Sequence, residues 1–158
     1  MTVAGLERLK VWVRAKDFAL KFHKQILPLL PAEEKWNLNQ QLRRSSLSIS
    51  ANIAEGYGRF YYQENIRFCY IARGSLDETL SHLIFAFEAR YIPSSIFQQF
   101  ELEGDEIDKM LNGYIAYLKR SKQGANEPGA NSVVHEDPQA YDVEFLEDAR
   151  HPTEGTAL

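Results

Sequence analysis

Apolar side chains recur every three or four residues through four successive stretches of the chain, a pattern typical of helices that bury one face. The stretches are residues 6–30, 32–55, 62–91 and 95–120. Proline or glycine separates each stretch from the next, and these residues commonly start or end helices. The pattern therefore predicts four amphipathic helices, and no alternating strand pattern competes with them.

The same spacing predicts which residues form the core. In the first stretch they are Trp12, Ala15, Ala19, Phe22 and Ile26. In the second they are Leu38, Leu42, Ile49 and Ile53. In the third they are Phe68, Ala72, Leu76, Leu80, Leu83 and Phe87, with Ile71 and Ile84 beside them. In the fourth they are Phe100, Ile107, Leu111, Tyr114 and Leu118.

Several glycine and serine positions carry local predictions. Gly56 and Gly58 are expected to end the second helix in the left-handed conformation that favours glycine. Gly74 interrupts the third helix, and a close contact with a neighbouring helix would compensate for its cost. Gly104 takes a core position in the fourth helix, and Ser94 is expected to cap the start of that helix.

Four long amphipathic helices joined by short links favour an all-α fold, an up-down antiparallel four-helix bundle. We assign it to residues 6–120. After these residues the composition changes to glycine, asparagine, proline and acidic residues without helical periodicity. Residues 121–158 are therefore predicted to form a disordered acidic tail.

Composition argues against several classes of function. The single cysteine, Cys69, excludes an intrachain disulfide framework and a cysteine-rich metal site. The Glu-x-x-His pairs of bundle metal sites are missing, as are phosphate loops and hydrolase motifs. We expect a non-enzymatic protein with no catalytic residues, metal, cofactor or small-molecule substrate. Since no stretch of about 18 apolar residues occurs, we expect it to be cytoplasmic, without a membrane partner.

Charge is unevenly divided, although the net charge is only −4. Residues 1–73 hold 12 Lys/Arg and 6 Asp/Glu, residues 74–120 hold 4 and 8, and residues 121–158 hold 2 and 8. The basic first part indicates a surface that binds phosphates. Its candidate nucleic-acid contacts are Lys10, Arg14, Lys21, Lys24, Arg43, Arg44, Arg59, Arg67 and Arg73. Alternatively, the arginines cap helices or pair with carboxylates of neighbouring helices or subunits.

Two clusters have both a functional and a structural interpretation. Asn52, Glu55 and Ser75 can form a polar site at a bundle end. We favour a structural polar cluster, in which Glu55 pairs with an arginine and Asn52 with backbone, because buried polar groups need partners. The second cluster is aromatic and can stack on unpaired bases, although an oligomer interface is our preferred interpretation. Its members are Tyr57, Phe60, Tyr61 and Tyr62.

The predicted tail contains one stretch in which apolar residues stand among acids. This composition is typical of a short segment that docks on a partner. The candidate docking residues are Tyr141, Val143, Phe145 and Leu146. A passive, solubilising tail is the alternative.

Three ordered motifs resemble the bacterial four-helix bundle proteins known from 23S rRNA intervening sequences. They read QLRRSS from Gln41, ISANIAEGYGR from Ile49 and FCYIARGSLDE from Phe68. The resemblance covers residues 6–120 and implies a bundle that assembles into a ring-shaped homopentamer. It also implies kinship with the accessory variability determinant of diversity-generating retroelements, which partners a reverse transcriptase and nucleic acid.

Two hypotheses of function follow. In the first, the protein is an oligomeric adaptor that binds RNA or DNA, as the accessory subunit of a reverse transcriptase. In the second, it is a protein–protein scaffold that presents its acidic tail to a partner.

Overall fold

The computed structural model describes residues 3–122 and 124–126 of the chain. Every regular element in this part is helical, as the sequence predicted. The α-helices are α1 (Val3–Leu6), α2 (Lys10–Lys21), α3 (Leu38–Tyr57), α4 (Tyr62–Glu88) and α5 (Ser94–Ser121). A π-helix (Phe22–Ile26) and two 3₁₀-helices (Leu27–Leu29 and Ala32–Trp36) lie between α2 and α3.

The four long helices, α2 to α5, pack around a shared core. Each contacts the next along the chain, and α2 also packs on α5, which closes the set. The helices α3 and α4 run antiparallel, because Ser48 meets Ser75 whereas Gly56, further along α3, lies against Asn65 near the start of α4. Three phenylalanine rings, Phe18, Phe22 and Phe100, pack together with centroids 4.8–5.7 Å apart and join α2 and the π-helix to α5.

The first predicted helix is not one continuous α-helix. It ends as an α-helix at Lys21 and continues as the π-turn and then as a 3₁₀-turn. A π-turn closes i→i+5 hydrogen bonds and so takes up more residues per turn, and both Phe22 and Ile26 within it are fully buried. Phe18 is also buried there, whereas the predicted core residue Trp12 is only partly buried.

The helix α3 begins at Leu38, later than the predicted start at residue 32. The carboxylate of Glu34 explains this boundary, because it accepts hydrogen bonds from the Leu38 backbone N–H (3.2 Å) and the Asn37 side chain (3.0 Å). The first N–H groups of a helix lack intrahelical partners, and a carboxylate satisfies them while complementing the helix dipole. The Tyr91 hydroxyl donates to the same carboxylate and ties it to the end of α4.

The glycine predictions were partly wrong. Gly56 does not end α3, which continues to Tyr57, and the capping Gly58 has a right-handed φ of −74°. Instead, a Cβ on Gly56 would lie 2.8 Å from Asn65 Oδ1, so glycine allows α3 and α4 to approach closely. Gly74 has no such contact within 4 Å, whereas a Cβ on Gly104 would lie 2.8 Å from a Leu80 methyl.

Two further predictions about α4 and α5 need correction. Ile71 and Ile84 are exposed, because α4 turns Ser75 and Thr79 toward its neighbours, and both hydroxyls bond back to the preceding turn. Ser94 makes no capping bond, since α5 starts at this residue with Pro93 in the capping position.

Most of the predicted acidic tail, residues 121–158, falls outside the described residues. The candidate docking residues Tyr141, Val143, Phe145 and Leu146 also lie outside them. Within residues 3–122 and 124–126, no helix combines the length and the apolar composition that a membrane crossing requires.

The two contrasting glycines give a matched stability test. We predict that Gly56→Ala lowers the free energy of unfolding by about 1–3 kcal/mol, because the added methyl overpacks the contact with Asn65. Gly74→Ala should raise it by about 0.5–1 kcal/mol, because this helical glycine has open space beside it. Urea unfolding of both variants checks the pair, and changes of the same sign would contradict the assignment.

Candidate nucleic-acid interface

Positive charge accumulates at one end of the bundle. We call it the link end, because α3 passes into α4 there, and define it as residues 5–10, 55–67 and 114–122. It holds seven Lys/Arg and three Asp/Glu, whereas the opposite end, residues 22–38 and 84–100, holds three of each. The link end is therefore the better placed to attract a polyanion.

An open groove of about 580 Å³ lies at the link end, and we call it the link-end groove. Tyr57, Phe60 and Tyr117 line it with exposed aromatic rings, and Arg8 and Arg59 add two guanidinium groups. These residues come from the turn before α2, the link between α3 and α4, and the last part of α5. The fold thus brings aromatic rings and cations together from three separate parts of the chain.

The groove also contains a polar pair, Asn65 and Tyr114. Asn65 is only 6% exposed, and its Nδ2 donates to the Tyr114 hydroxyl oxygen at 3.1 Å. Burial raises the pKa of Tyr114 above 10.0, and the hydrogen bond from Asn65 offsets this only in part. The hydroxyl therefore keeps its hydrogen at neutral pH and, since it accepts from Asn65, can donate that hydrogen to a groove occupant.

Arg59 is held in place by two contacts. Its guanidinium pairs with Glu55 one turn earlier and lies 5.2 Å from the centroid of the Phe68 ring. A cation over an aromatic face is attracted by the ring quadrupole. The guanidinium is thus oriented beside the groove while part of its surface stays in contact with solvent.

Other cations predicted to bind nucleic acid are paired with carboxylates on neighbouring helices. Arg14 pairs with Glu106 and Lys21 Nζ lies 2.7 Å from Glu103 Oε1, so both join α2 to α5. Arg44 on α3 pairs with Glu78 on α4. These three cations therefore match the alternative interpretation, in which basic residues pair between helices.

The remaining predicted cations are spread over the surface. Arg73 bonds to Asn112 (3.1 Å) and lies over the Tyr70 ring, and Arg43 lies 3.4 Å from a ring nitrogen of His23. The other three are exposed: Lys10, Lys24 and Arg67. Of the predicted set, the link end contains Lys10, Arg59 and Arg67, so the nine residues do not form one surface.

The predicted polar cluster is only partly assembled. Asn52 Nδ2 donates to the Ser48 backbone oxygen (2.8 Å) and lies 3.0 Å from the Ser48 hydroxyl, whose oxygen is 3.1 Å from the Ser75 hydroxyl oxygen. Ser48 therefore connects Asn52 to Ser75 across α3 and α4. Glu55 does not join them but pairs with Arg59, so the favoured structural interpretation, Glu55 with an arginine and Asn52 with backbone, is confirmed.

The predicted oligomer interface divides between the groove and the core. Tyr57 and Phe60 line the groove, Tyr61 packs edge-on against Phe60 at 5.3 Å, and Tyr62 packs against the core. A role of these four residues in assembly stays a prediction.

Sequence reasoning missed four groove residues, Arg8, Asn65, Tyr114 and Tyr117. It assigned Tyr114 to the core and gave no role to the other three. The available signal was the spacing of the two tyrosines, three apart on α5, just before the cations Lys119 and Arg120. Residues three apart share a helix face, and these two rings do stack, with centroids 6.3 Å apart.

Two other candidate chemistries find no support in the described residues. Cys69 is fully buried and burial raises its pKa to about 12, so its thiol is not activated as a nucleophile. In the part of the chain that the structure describes, no three His, Cys, Asp or Glu residues are grouped as metal ligands. The geometry thus defines an all-helical protein with a basic, aromatic groove.

Comparison with known proteins places the chain in a family. Residues 7–113 match the family model of the 23S rRNA-intervening sequence protein, so the chain belongs to this family. It is also similar to a crystal structure from Bacteroides thetaiotaomicron, a protein of unknown function from the S23 ribosomal protein family. That similarity has 26% sequence identity and a TM-score of 0.62, and covers 66% of this chain and 97% of the other. No curated protein matches the chain.

The ion pair between Lys21 and Glu103 predicts a pH dependence. Burial raises the pKa of Glu103, but hydrogen bonds from Lys21 and Gln99 outweigh it and hold the pKa below its usual 4.5. A carboxyl whose pKa is lower in the folded than in the unfolded protein stabilises the fold at pH values above its unfolded-state pKa. This stabilisation is lost as the pH falls through the folded-state pKa. We predict that Glu103→Gln destabilises the protein at neutral pH and that the difference shrinks below pH 4.5.

Urea unfolding at neutral and acidic pH measures this difference. The control is Glu101→Gln, an exposed carboxylate two residues earlier on the same helix. A difference for Glu103→Gln that is constant across the range would contradict a stabilising ion pair.

Proposed function

We propose that the protein is a non-enzymatic adaptor that binds nucleic acid through the link-end groove, at positions where bases are unpaired. The observation that carries the proposal is the meeting of aromatic rings and guanidinium groups in this groove. It lies at the end of the bundle where cations outnumber acids. The S23 ribosomal protein family, to which the similar crystal structure belongs, is consistent with an RNA partner.

The size of the groove favours unpaired bases over a duplex. A volume of about 580 Å³ lies within the range of sites that hold one small ligand. Such a space accommodates about one or two bases, whereas a double helix is far wider. The phosphates on either side of these bases would meet the surrounding cations of the link end, each contact releasing counterions.

The groove offers each part of a nucleotide a matching group. Phe60 and Tyr117 present exposed rings on which a base can stack. Arg8 and Arg59 supply guanidinium groups that bind phosphate. The Tyr114 hydroxyl can donate a hydrogen bond to a base edge or a sugar oxygen. Stacking and charge are tolerant of sequence, so we expect little base preference.

We also propose that the adaptor serves a reverse transcriptase of the diversity-generating retroelement type. This part of the proposal rests on the resemblance of the three sequence motifs, whereas the groove supports nucleic-acid binding. An accessory subunit needs a protein-binding face as well. The outer faces of α3 and α4 carry exposed apolar side chains suited to that role, namely Leu47, Ile71 and Ile84.

Nucleic-acid binding gives a test based on two phenylalanines. We predict that Phe60→Ala weakens binding of a single-stranded RNA of about 12 nucleotides by about 1–3 kcal/mol, the contribution of one stacked base. Phe85→Ala is the matched control, because both rings are 54% exposed and Phe85 lies toward the opposite end of α4. Fluorescence anisotropy measures both affinities.

The same titration, repeated at several salt concentrations, tests the electrostatic contribution to RNA binding. Affinity of the parent protein should fall steeply between about 50 and 200 mM salt. Equal losses in the two alanine variants would place the interface outside the groove. Binding that does not respond to salt would contradict phosphate recognition.

Assembly gives a separate prediction. The resemblance of the three sequence motifs supports a homo-oligomer, and exposed apolar residues on α2 and α5, Leu20 and Leu102, are suited to its interfaces. We predict a pentamer, with a mass about five times the 18.2 kDa of the chain. Light scattering at micromolar concentration checks this, and a monomeric mass would refute it.

A further inference from the structure

The described chain turns back toward the link-end groove after α5. Lys122 adopts a left-handed conformation with φ 47°, and the Ala125 N–H bonds to its carbonyl at 3.0 Å. A Cβ added to Gly124 would lie 2.8 Å from a ring carbon of Tyr61 and 3.2 Å from a ring carbon of Phe60. Gly124 therefore lies against Phe60 of the groove and the neighbouring Tyr61, and the sequence that follows residue 126 starts close to them.

The sequence after residue 126 has the opposite charge to the groove. Residues 127–158 hold eight Asp/Glu and one Arg. Four of these acids are concentrated in residues 141–148, which read YDVEFLED and interleave them with four apolar or aromatic residues. This segment offers carboxylates for guanidinium groups and side chains such as Phe145 for aromatic rings.

We propose that residues 141–148 dock in the link-end groove of their own chain and there compete with nucleic acid. Three observations support the docking: the groove, the turn at Lys122, and the opposite charges of the segment and the groove. Only the competition rests on the proposed function. The segment would act as an internal substitute for a nucleotide, its carboxylates in place of phosphates and its aromatic rings in place of bases.

The connecting chain is long enough for this contact. A flexible chain of fourteen residues, the number between Asn126 and Tyr141, spans about 20 Å on average. Tethering at this length gives an effective concentration in the millimolar range, so even a weak contact is well populated. At micromolar protein concentrations this favours the segment of the same chain over that of a separate molecule, and the tether of about 20 Å favours it over the segment of a neighbouring subunit in an oligomer.

Disulfide trapping in the full-length chain tests the docking directly. We expect Tyr117→Cys combined with Phe145→Cys to form an intrachain disulfide under mild oxidation. It should form about ten-fold faster than in the pair Phe85→Cys with Phe145→Cys, whose first cysteine lies toward the opposite end of α4. The native Cys69 is fully buried and does not interfere. Non-reducing electrophoresis and peptide mass spectrometry identify the products.

Charge-reversal substitutions in the chain with cysteines at positions 117 and 145 test whether opposite charges attract the segment to the groove. Asp142→Lys with Glu144→Lys should slow trapping about five-fold at low salt, because the segment then repels the cations of the groove. Glu136→Lys with Asp137→Lys changes the net charge equally but lies before the segment, and should change the rate less than two-fold. Three outcomes would each overturn the proposal. They are equal rates of disulfide formation at residues 117 and 85, a disulfide that forms only between chains, and equal effects of the two charge reversals.

RNA binding separates this inference from the proposed function. In the chain with native Tyr117 and Phe145, Asp142→Lys with Glu144→Lys should tighten single-stranded RNA binding about two- to five-fold over the Glu136→Lys, Asp137→Lys control. Selective trapping without any RNA binding supports the docking and refutes the nucleic-acid function. RNA binding without selective trapping overturns the docking and leaves the function standing.

Discussion

Where α3 meets α4 near the link, a Cβ on Gly56 would lie 2.8 Å from the Asn65 side chain and 2.9 Å from the Cβ of Phe68. This close approach determines much of the surrounding structure. It buries Asn65, whose amide then reaches Tyr114 and positions the last part of α5. Further along the same helix pair, Ser48 and Ser75 bond across the interface, which small side chains permit. The groove exists because these helices are held at this spacing.

Periodicity was sufficient to predict the helical class and the four long helices, because burial of one face leaves a regular apolar pattern. It did not identify which glycine marks a close contact. Gly56 and Gly74 both lie within helices, but of the two only Gly56 faces a neighbouring helix at contact distance. That distinction depends on how the helices are rotated against each other, which a single sequence does not specify. The break at Asn37 likewise depends on Glu34, whose capping contact is visible only in three dimensions.

The candidate site was predictable only where its residues are close in sequence. Tyr57, Arg59 and Phe60 lie within four residues, so their cluster was apparent from the sequence. Arg8 and Tyr117 come from distant parts of the chain, and only the fold brings them to the same groove. The cations of α2 illustrate the reverse case. In the sequence they suggest a basic surface. In the fold, Glu106 and Glu103 of α5 lie beside them and pair with Arg14 and Lys21.

The unequal charge of the two bundle ends has a kinetic consequence. When residues 141–148 are displaced from the groove, a bundle with surplus positive charge at one end and balanced charge at the other is oriented by the field of an approaching polyanion. Collisions are then biased toward end-on encounters before any short-range contact forms. Pairing of the α2 cations with α5 strengthens this bias, because it removes competing attraction from the sides of the bundle. The arrangement of charge therefore governs how often a productive orientation is reached, independently of how long the resulting complex lasts.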